Sequence, residues 1–527
     1  MLIKKIFVAA LMSVGLMSGT TSVASDLVIL HTNDTHSSID PDAEGNGGVL
    51  QRKALIDSVR SAEKNVMLID AGDVVQGTLY FKFFKGDVEY PLMNMMGYDL
   101  QILGNHEFDN GLDEMAAHYR TLDATPLSAN YIFDGTAAEG IFKPYEIREI
   151  DGKKIGFIGI NLAPHGIIAA SAFEGLGFLP IVETANEYAR LLKKDEGCDM
   201  VVVVSHIGAV EDGTRPTDYD IARSSKDIDL IIGGHSHTVI PPGNTSDRFP
   251  NIVANADGRP VMVVQTGKYG RNLGYIRIPL DNPSATPADF DYRLIPVTDR
   301  FPVESLDAAM AAHIAPYRQQ LKAIDEHVIG YCSEEMMNSR RTGAFVNWTA
   351  DFAEQYGRHI ADSLRASGRD IPSCDFAMMN VGGIRHPMKK GDVTEGQILA
   401  TFPFNNKMVL VAIKGRDFID AMKIAASKHG ESISDAIRVV MDDYDGVVRV
   451  VVNGEEMDPE KTYVMSTIDY LAWGNDDFAP LANGTLLWID DELMSVRMLE
   501  YIERQTALGL PLAGDPRPRF LRMNVKE

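Results

Sequence analysis

The sequence predicts a layered α/β protein built from two units in tandem. Short, nearly continuous Val/Ile/Leu runs recur between Leu27 and about Arg277, each followed by a polar, Gly-containing loop and a helical stretch. Such runs suit strands covered on both faces, here by helices, rather than half-exposed strands that alternate apolar and polar residues. A break at Asn282-Pro283-Ser284-Ala285-Thr286-Pro287 precedes a second set of apolar runs and amphipathic stretches. The length, 527 residues with 45% hydrophobic and 24% charged, suffices for two large domains whose cores need no covalent staples.

In chain order, residues 1–25 read as a cleaved export signal. Lys4 and Lys5 precede an apolar stretch from Ile6 to about Leu16, and small residues end in Ser22-Val23-Ala24. The apolar stretch is too short to span a bilayer well, so the expectation is a periplasmic or secreted protein without a stable membrane anchor. The first unit is expected over 26–300, with strands at Leu27–Leu30, Val66–Ile69, Leu100–Leu103, Ile155–Ile160, Val201–Val204, Leu230–Ile232 and Val261–Val264. Residues 301–325 form a connector that reads as helical from Val303 to about Asp325, with Pro316 starting a new helix or kinking this one. The second unit, 326–527, has strands at Phe376–Met379, Met408–Ile413 and Tyr463–Ser466, and helices at Asp417–Lys428 and Leu493–Gln505.

The net charge of −24 argues against a nucleic-acid polymer as partner, because such binding needs a cationic footprint. Small phosphate esters remain compatible, since a bound cation dominates its own local field. Cys198, Cys332 and Cys374 allow at most one bridge, with Cys332–Cys374 the conceivable pair, and they lack metal-site spacing. No feature of the sequence specifies an oligomeric state.

The chemistry gathers where the apolar runs end. Leu27–Leu30 leads to Asp34-Thr35-His36, and Val66–Ile69 to Gly72-Asp73. Leu100–Leu103 leads to Gly104-Asn105-His106, Val201–Val204 to His206, and Leu230–Ile232 to Gly233-Gly234-His235-Ser236-His237. Ligand sites of α/β sheets collect at the carboxyl ends of strands, so these loops are expected to converge. Asp34, His36, Asp73, Asn105, His206, His235 and His237 offer imidazole, carboxylate and amide groups without thiolate. That set suits a pair of divalent cations such as Zn, Mn or Co.

The segments Asn33-Asp34-Thr35-His36, Gly72-Asp73-Val74-Val75-Gln76-Gly77-Thr78, Gly104-Asn105-His106-Glu107-Phe108-Asp109, Ser205-His206-Ile207-Gly208 and Gly233-Gly234-His235-Ser236-His237 resemble the calcineurin-like metallophosphoesterases. More narrowly, they resemble the 5′-nucleotidase/UDP-sugar hydrolase family. The resemblance implies a four-layer β-sandwich flanked by helices, a connector helix and a C-terminal α/β substrate-binding domain. It implies that Asp34, His36, Asp73 and His237 hold one metal. Asp73, Asn105, His206 and His235 would hold the other, with Asp73 bridging. Two such cations clamp a phosphoryl group and generate hydroxide for in-line attack. His106 would stabilise the transition state and the leaving oxygen without ligating metal, and Asp109 would orient its ring.

The second unit resembles the family's C-terminal domain in Asn380-Val381-Gly382-Gly383-Ile384-Arg385 and in the aromatic loops around Phe404 and Phe478. The resemblance implies that Asn380, Gly383 and Arg385 contact the nucleotide and that Phe404 and Phe478 sandwich its base. The Asn347-Trp348-Thr349-Ala350-Asp351 stretch resembles another family segment, and just upstream Arg340 or Arg341 is expected to contact phosphate. Two departures stand out. Gly474-Asn475-Asp476-Asp477-Phe478 replaces the usual Gly-Gly-Asp-Gly-Phe, and Gly484 falls where a ribose-binding Asp is common. The expected activity is release of phosphate from 5′-nucleotides, or hydrolysis of UDP-sugars. The alternatives are a 2′,3′-cyclic phosphodiesterase/3′-nucleotidase, a sulfur-compound hydrolase on the same scaffold, and a non-catalytic nucleotide- or metal-binding protein.

Overall fold

A computed structural model describes residues 26–210, 215–282, 284–340 and 343–523. Residues 1–25, read above as an export signal, and Arg341 lie outside the described residues. In the N-terminal unit, the strands Asp26–Thr32, Val66–Asp70, Leu100–Ile102 and Thr125–Leu127 run parallel in one sheet. Asn272–Pro279 and Asp291–Pro296 extend its edge antiparallel. A second sheet orders Ile252–Ala254, Pro260–Val264, Leu230–Ile232, Met200–His206, Lys153–Asn161 and Tyr145–Ile150, with the four central strands parallel.

The two-residue period of a strand explains the layers. Leu27 and Ile29 face the other sheet, meeting Phe157, Val202, Val204 and Ile232 in a shared core. Val28 and Leu30 face the opposite way, against the helices Val49–Ala62 and Glu89–Met96. Val201, Val203 and Ile231 pack likewise on Ile181–Arg190 and Asp218–Ser224. The continuous apolar runs are thus buried on both faces, but by helices on one side and the partner sheet on the other. This corrects the expectation of helices on both faces and gives the four-layer sandwich.

The connector is one helix, Ala308–Asp325, with Pro316 inside it. Asp307 caps it by accepting hydrogen bonds from the N–H groups of Ala309 and Met310, both at 2.9 Å. No new helix starts at Pro316. The carbonyl that loses its donor belongs to exposed Ala312, where water can satisfy it.

In the C-terminal unit, a five-stranded mixed sheet orders Ser432–Ile433, Phe376–Met379, Thr462–Ile468, Lys407–Lys414 and Thr485–Leu493. A second sheet contains Ile437–Met441, Val447–Val452 and Phe520–Arg522. The helices Ala344–Ala366, Gly415–Ser427 and Met494–Ala507 contribute to its core. All three cysteines are free, so the conceivable Cys332–Cys374 bridge is absent. The thiols of that pair donate instead to the carbonyls of Glu334 and Phe376.

Candidate metal centre

The parallel strands of both sheets end at the same rim, so their following loops meet across the sandwich. Backbone strain marks the place. Asp34, His36, Asp73, His235 and His237 have φ of 50°, 46°, 57°, 68° and 54°. Left-handed backbone costs a non-Gly residue on the order of 1–3 kcal/mol and persists only where the surroundings over-determine it.

Those surroundings are explicit. Asn33 donates to Asp34 Oδ2 at 2.6 Å and to the Gly267 carbonyl at 2.8 Å, while its own Oδ1 accepts from Thr266 N at 2.9 Å. Glu107 accepts from the N–H groups of Val74 at 2.8 Å and Asp73 at 3.1 Å, and also from Gly104, tying two ligand loops together. His106 N donates to Asp73 Oδ1 at 2.9 Å. Glycine is required at 104, because a Cβ there would collide with the Asp73 carboxylate and backbone N.

The side chains point inward. His36, Asp34 and His237 form one group of potential ligand atoms within 4.8 Å of one another, and Asp73, His206 and His235 form another. His36 Nε2 lies 2.8 Å from His237 Nε2, and His206 Nε2 lies 3.2 Å from Asp73 Oδ2. Asn105 Oδ1 is 2.9 Å from His235 Nδ1. His106 joins His36 and Asp73 in a third group.

Electrostatics suits cations. Burial, then Arg385 in one case and Lys268 in the other, pushes His36 and His237 well below the usual imidazole range. Burial and neighbouring His206 take His235 down to about 3. These rings are neutral, the form that ligates metal. Burial lifts Asp34 to about 7, a cost that a divalent ion would offset. His206 donates from Nδ1 to the Ala71 carbonyl at 2.6 Å, leaving its buried Nε2 without a well-formed hydrogen bond. Against burial, the Asp73 and Asp34 carboxylates raise this ring to about 10, so Nε2 holds a proton toward Asp73 that a cation bound there would replace.

His106 Nδ1 meets Asp109 Oδ2 at 2.9 Å. Burial opposes a charge on His106, but Asp109 and Asp73 overcome it and raise its pKa. The expected catalytic pair is therefore assembled at the edge of the ligand cluster.

Residues of the second unit reach the same place. Arg385 Nη2 lies 3.4 Å from His36 Nε2, and the Phe404 ring is 5.9 Å from the His106 ring. Asn380, Arg385 and Phe404 line a cavity of about 390 Å³ with Asn105, His106 and Asp109. Gly382 lines it where Gly383 was expected; Gly383 turns behind, against Asn380. Phe478 departs from expectation, since its ring is fully buried in the C-terminal core and does not line the cavity. Arg340 is also elsewhere, paired with buried Glu431 and the Gly430 carbonyl. Asn33 and Glu107 lie inside the strand-end motifs, but an amide and a carboxylate there carry no signal of a scaffolding role. Arg215, Tyr470 and Trp473, which shape the interface between units, carried no motif signal.

Two family models match the chain: calcineurin-like phosphoesterase over residues 27–239 and 5′-nucleotidase, C-terminal domain, over residues 328–483. The chain belongs to the calcineurin-like phosphoesterases that carry a 5′-nucleotidase C-terminal domain. It is similar to Protein UshA of Yersinia enterocolitica, 27% identical over 92% of each chain. It is also similar to the 5′-nucleotidase of Rattus norvegicus, 27% identical over 94% of this chain and 91% of that one. Among solved structures, the 5′-nucleotidase precursor of Thermus thermophilus superposes with a TM-score of 0.80 at 26% identity, covering 95% of this chain and 100% of that one. As a member of this family, the protein is a metal-dependent phosphoester hydrolase.

Proposed function

We propose that this protein is an exported phosphohydrolase that uses two divalent cations to release phosphate from 5′-nucleotides. The observation that carries the reading is the placement of two ligand groups beside the His106–Asp109 pair, with Arg385 and Phe404 facing them across one cavity. Bound between Asp34, His36, His237 and Asp73 on one side and Asp73, Asn105, His206 and His235 on the other, the cations would supply charge to phosphoryl oxygens and lower the pKa of water.

The chain's own groups do the rest. Arg385 presents a guanidinium fork to the phosphate. His106, held in orientation by Asp109, donates a hydrogen bond or proton to the leaving oxygen. Phe404 offers a ring face to the leaving group. Residues 1–25 support export through their charge, apolar core and small-residue ending.

A second reading, a 2′,3′-cyclic phosphodiesterase/3′-nucleotidase, would use the same metal-holding residues. Asn483 pairs with Asp417 at 2.9 Å at an exposed position, and Gly484 packs on Val411, so neither supplies a ribose ligand to the cavity. Chelator-stripped protein restored with Mn, Co, Zn or Mg, then assayed for phosphate release from 5′-AMP, 3′-AMP, 2′,3′-cyclic AMP and UDP-glucose, separates the readings. Fastest turnover of 5′-AMP is expected. Preference for the cyclic or 3′ ester overturns the first reading in favour of the second.

A further inference from the structure

The cavity beside the ligand cluster holds a cation that the phosphohydrolase reading does not use. Lys82, on the short helix Leu79–Phe84 of the N-terminal unit, lines it together with His106, Asp109 and Phe404. The ammonium donates one long hydrogen bond, 3.3 Å, to the carbonyl of Pro403, the residue before Phe404. The Phe404 ring is in turn 5.9 Å from the His106 ring. The charge therefore stands on the leaving-group side of the cavity.

Nothing of opposite sign answers it. The chain has 74 Asp and Glu against 50 Lys and Arg, yet among the described residues no carboxylate pairs with Lys82. Burial pushes its pKa down to about 8, with no acid to hold it up. The carboxylates that line the same cavity are engaged elsewhere. Asp109 meets His106, and Asp476 Oδ1 accepts from Lys428 at 2.8 Å. Asp469 Oδ1 accepts from the N–H groups of Lys407 at 3.1 Å and Tyr470 at 2.8 Å. Arg385, another cation of the wall, faces His36 at 3.4 Å, nearer the place of the transferred phosphoryl group. A partly buried ammonium without a counter-charge has given up hydration and regained little; an anion in the cavity would supply the missing partner.

A second side chain points to the same kind of ligand. Gln76 lines the cavity and is 1% exposed, and neither its amide nitrogen nor its amide oxygen has a hydrogen-bond partner among the described residues. Buried polar atoms are nearly always paired, so an orphaned amide calls for a partner. Its backbone is held at a φ of 74°, a left-handed conformation that disfavours a side chain and clusters at ligand sites. The amide N–H groups are donors, as is the ammonium, and both suit the oxygens of an anion.

We propose that Lys82 and Gln76 form an anion subsite for the leaving group, which favours phosphate esters whose leaving group carries its own carboxylate or phosphate over otherwise matched neutral ones. The proposal rests on the phosphohydrolase reading and adds to it which leaving groups are read by charge. Two matched pairs test it through kcat/KM: 3-phosphoglycerate with glycerol 3-phosphate, and fructose 1,6-bisphosphate with fructose 6-phosphate. The first pair reads a carboxylate and the second a phosphate. K82M should lower the anionic-to-neutral ratio by about 10- to 150-fold in at least one pair, the worth of one charge-assisted hydrogen bond, and K82R should retain most of it. A ratio unchanged in K82M for both pairs overturns the subsite. A second measurement needs no variant, so it decides even where K82M fails to fold. Metal-loaded wild-type protein is given a brief pulse of acetic anhydride, and acetylation of Lys82 is read by peptide mass spectrometry. Excess 3-phosphoglycerate should protect Lys82 more than excess glycerol 3-phosphate does; equal protection, or none, overturns the subsite. No phosphate release from any of the four esters with any metal overturns the hydrolase reading, and the pulse still decides the subsite.

Discussion

Replacing His106 by alanine separates catalysis from metal binding. The imidazole sits 2.9 Å from Asp109 through Nδ1, and its backbone N–H supports Asp73. Alanine removes the ring and keeps that N–H, so the Asp73 scaffold survives. One positioned acid or transition-state group is worth ~10²–10⁴ in rate, or about 3–5 kcal/mol of barrier. H106A should therefore lose that factor in kcat on 5′-AMP, with KM little changed. Asp109→Asn removes only the charge behind the ring, and a charge-assisted hydrogen bond of about 1.5–3 kcal/mol predicts a roughly 10- to 150-fold loss. Because the two act as a unit, the double variant should be no slower than H106A. The assay is steady-state phosphate release, with metal content read by elemental analysis. Since His106 also falls within ligand distance of His36 and Asp73, metal content decides its role. A fully active H106A, or one that has lost a metal ion, refutes the reasoning.

Phe404→Ala should raise KM for nucleotides by about 5- to 150-fold while barely altering hydrolysis of a simple aryl phosphate; equal losses on both would count against stacking. Gly104→Ala should abolish metal binding and activity together, because its methyl group displaces the Asp73 carboxylate; retained metal in elemental analysis would contradict this. Glu89 is buried, and burial raises its carboxyl to about 7. The folded state therefore prefers the protonated form: the group imposes no cost below its unfolded pKa and destabilises progressively as pH rises to about 7. Glu89→Gln, neutral throughout, should raise Tm more at pH 8 than at pH 4.5, by a few degrees in a thermal melt; an equal shift at both would refute that sign.

Much of the site was legible because its chemistry sits beside strand ends. The apolar runs at Val201–Val204 and Leu230–Ile232 place His206 and His235 at the rim of one sheet by local periodicity alone, and the Asp-x-His and His-x-His spacings mark the proposed ligands. The sandwich itself was less visible in the residues, since a strand buried by a helix and one buried by another sheet have the same composition. Residue types also did not distinguish Phe404 from Phe478: one lines a cavity and the other is sealed by Lys428, a contact made across about fifty residues of chain. Arg215–Asp477 is likewise a pairing between units, which no local pattern encodes.

Metal stoichiometry tests whether two cations share Asp73 in this centre. Wild-type protein equilibrated with Mn and freed of excess should carry two ions per chain. Asp73→Ala should carry at most one and lose phosphate release from 5′-AMP. Two ions retained in Asp73→Ala, or undiminished turnover by wild-type protein shown to be free of metal, would contradict a two-metal centre that shares Asp73.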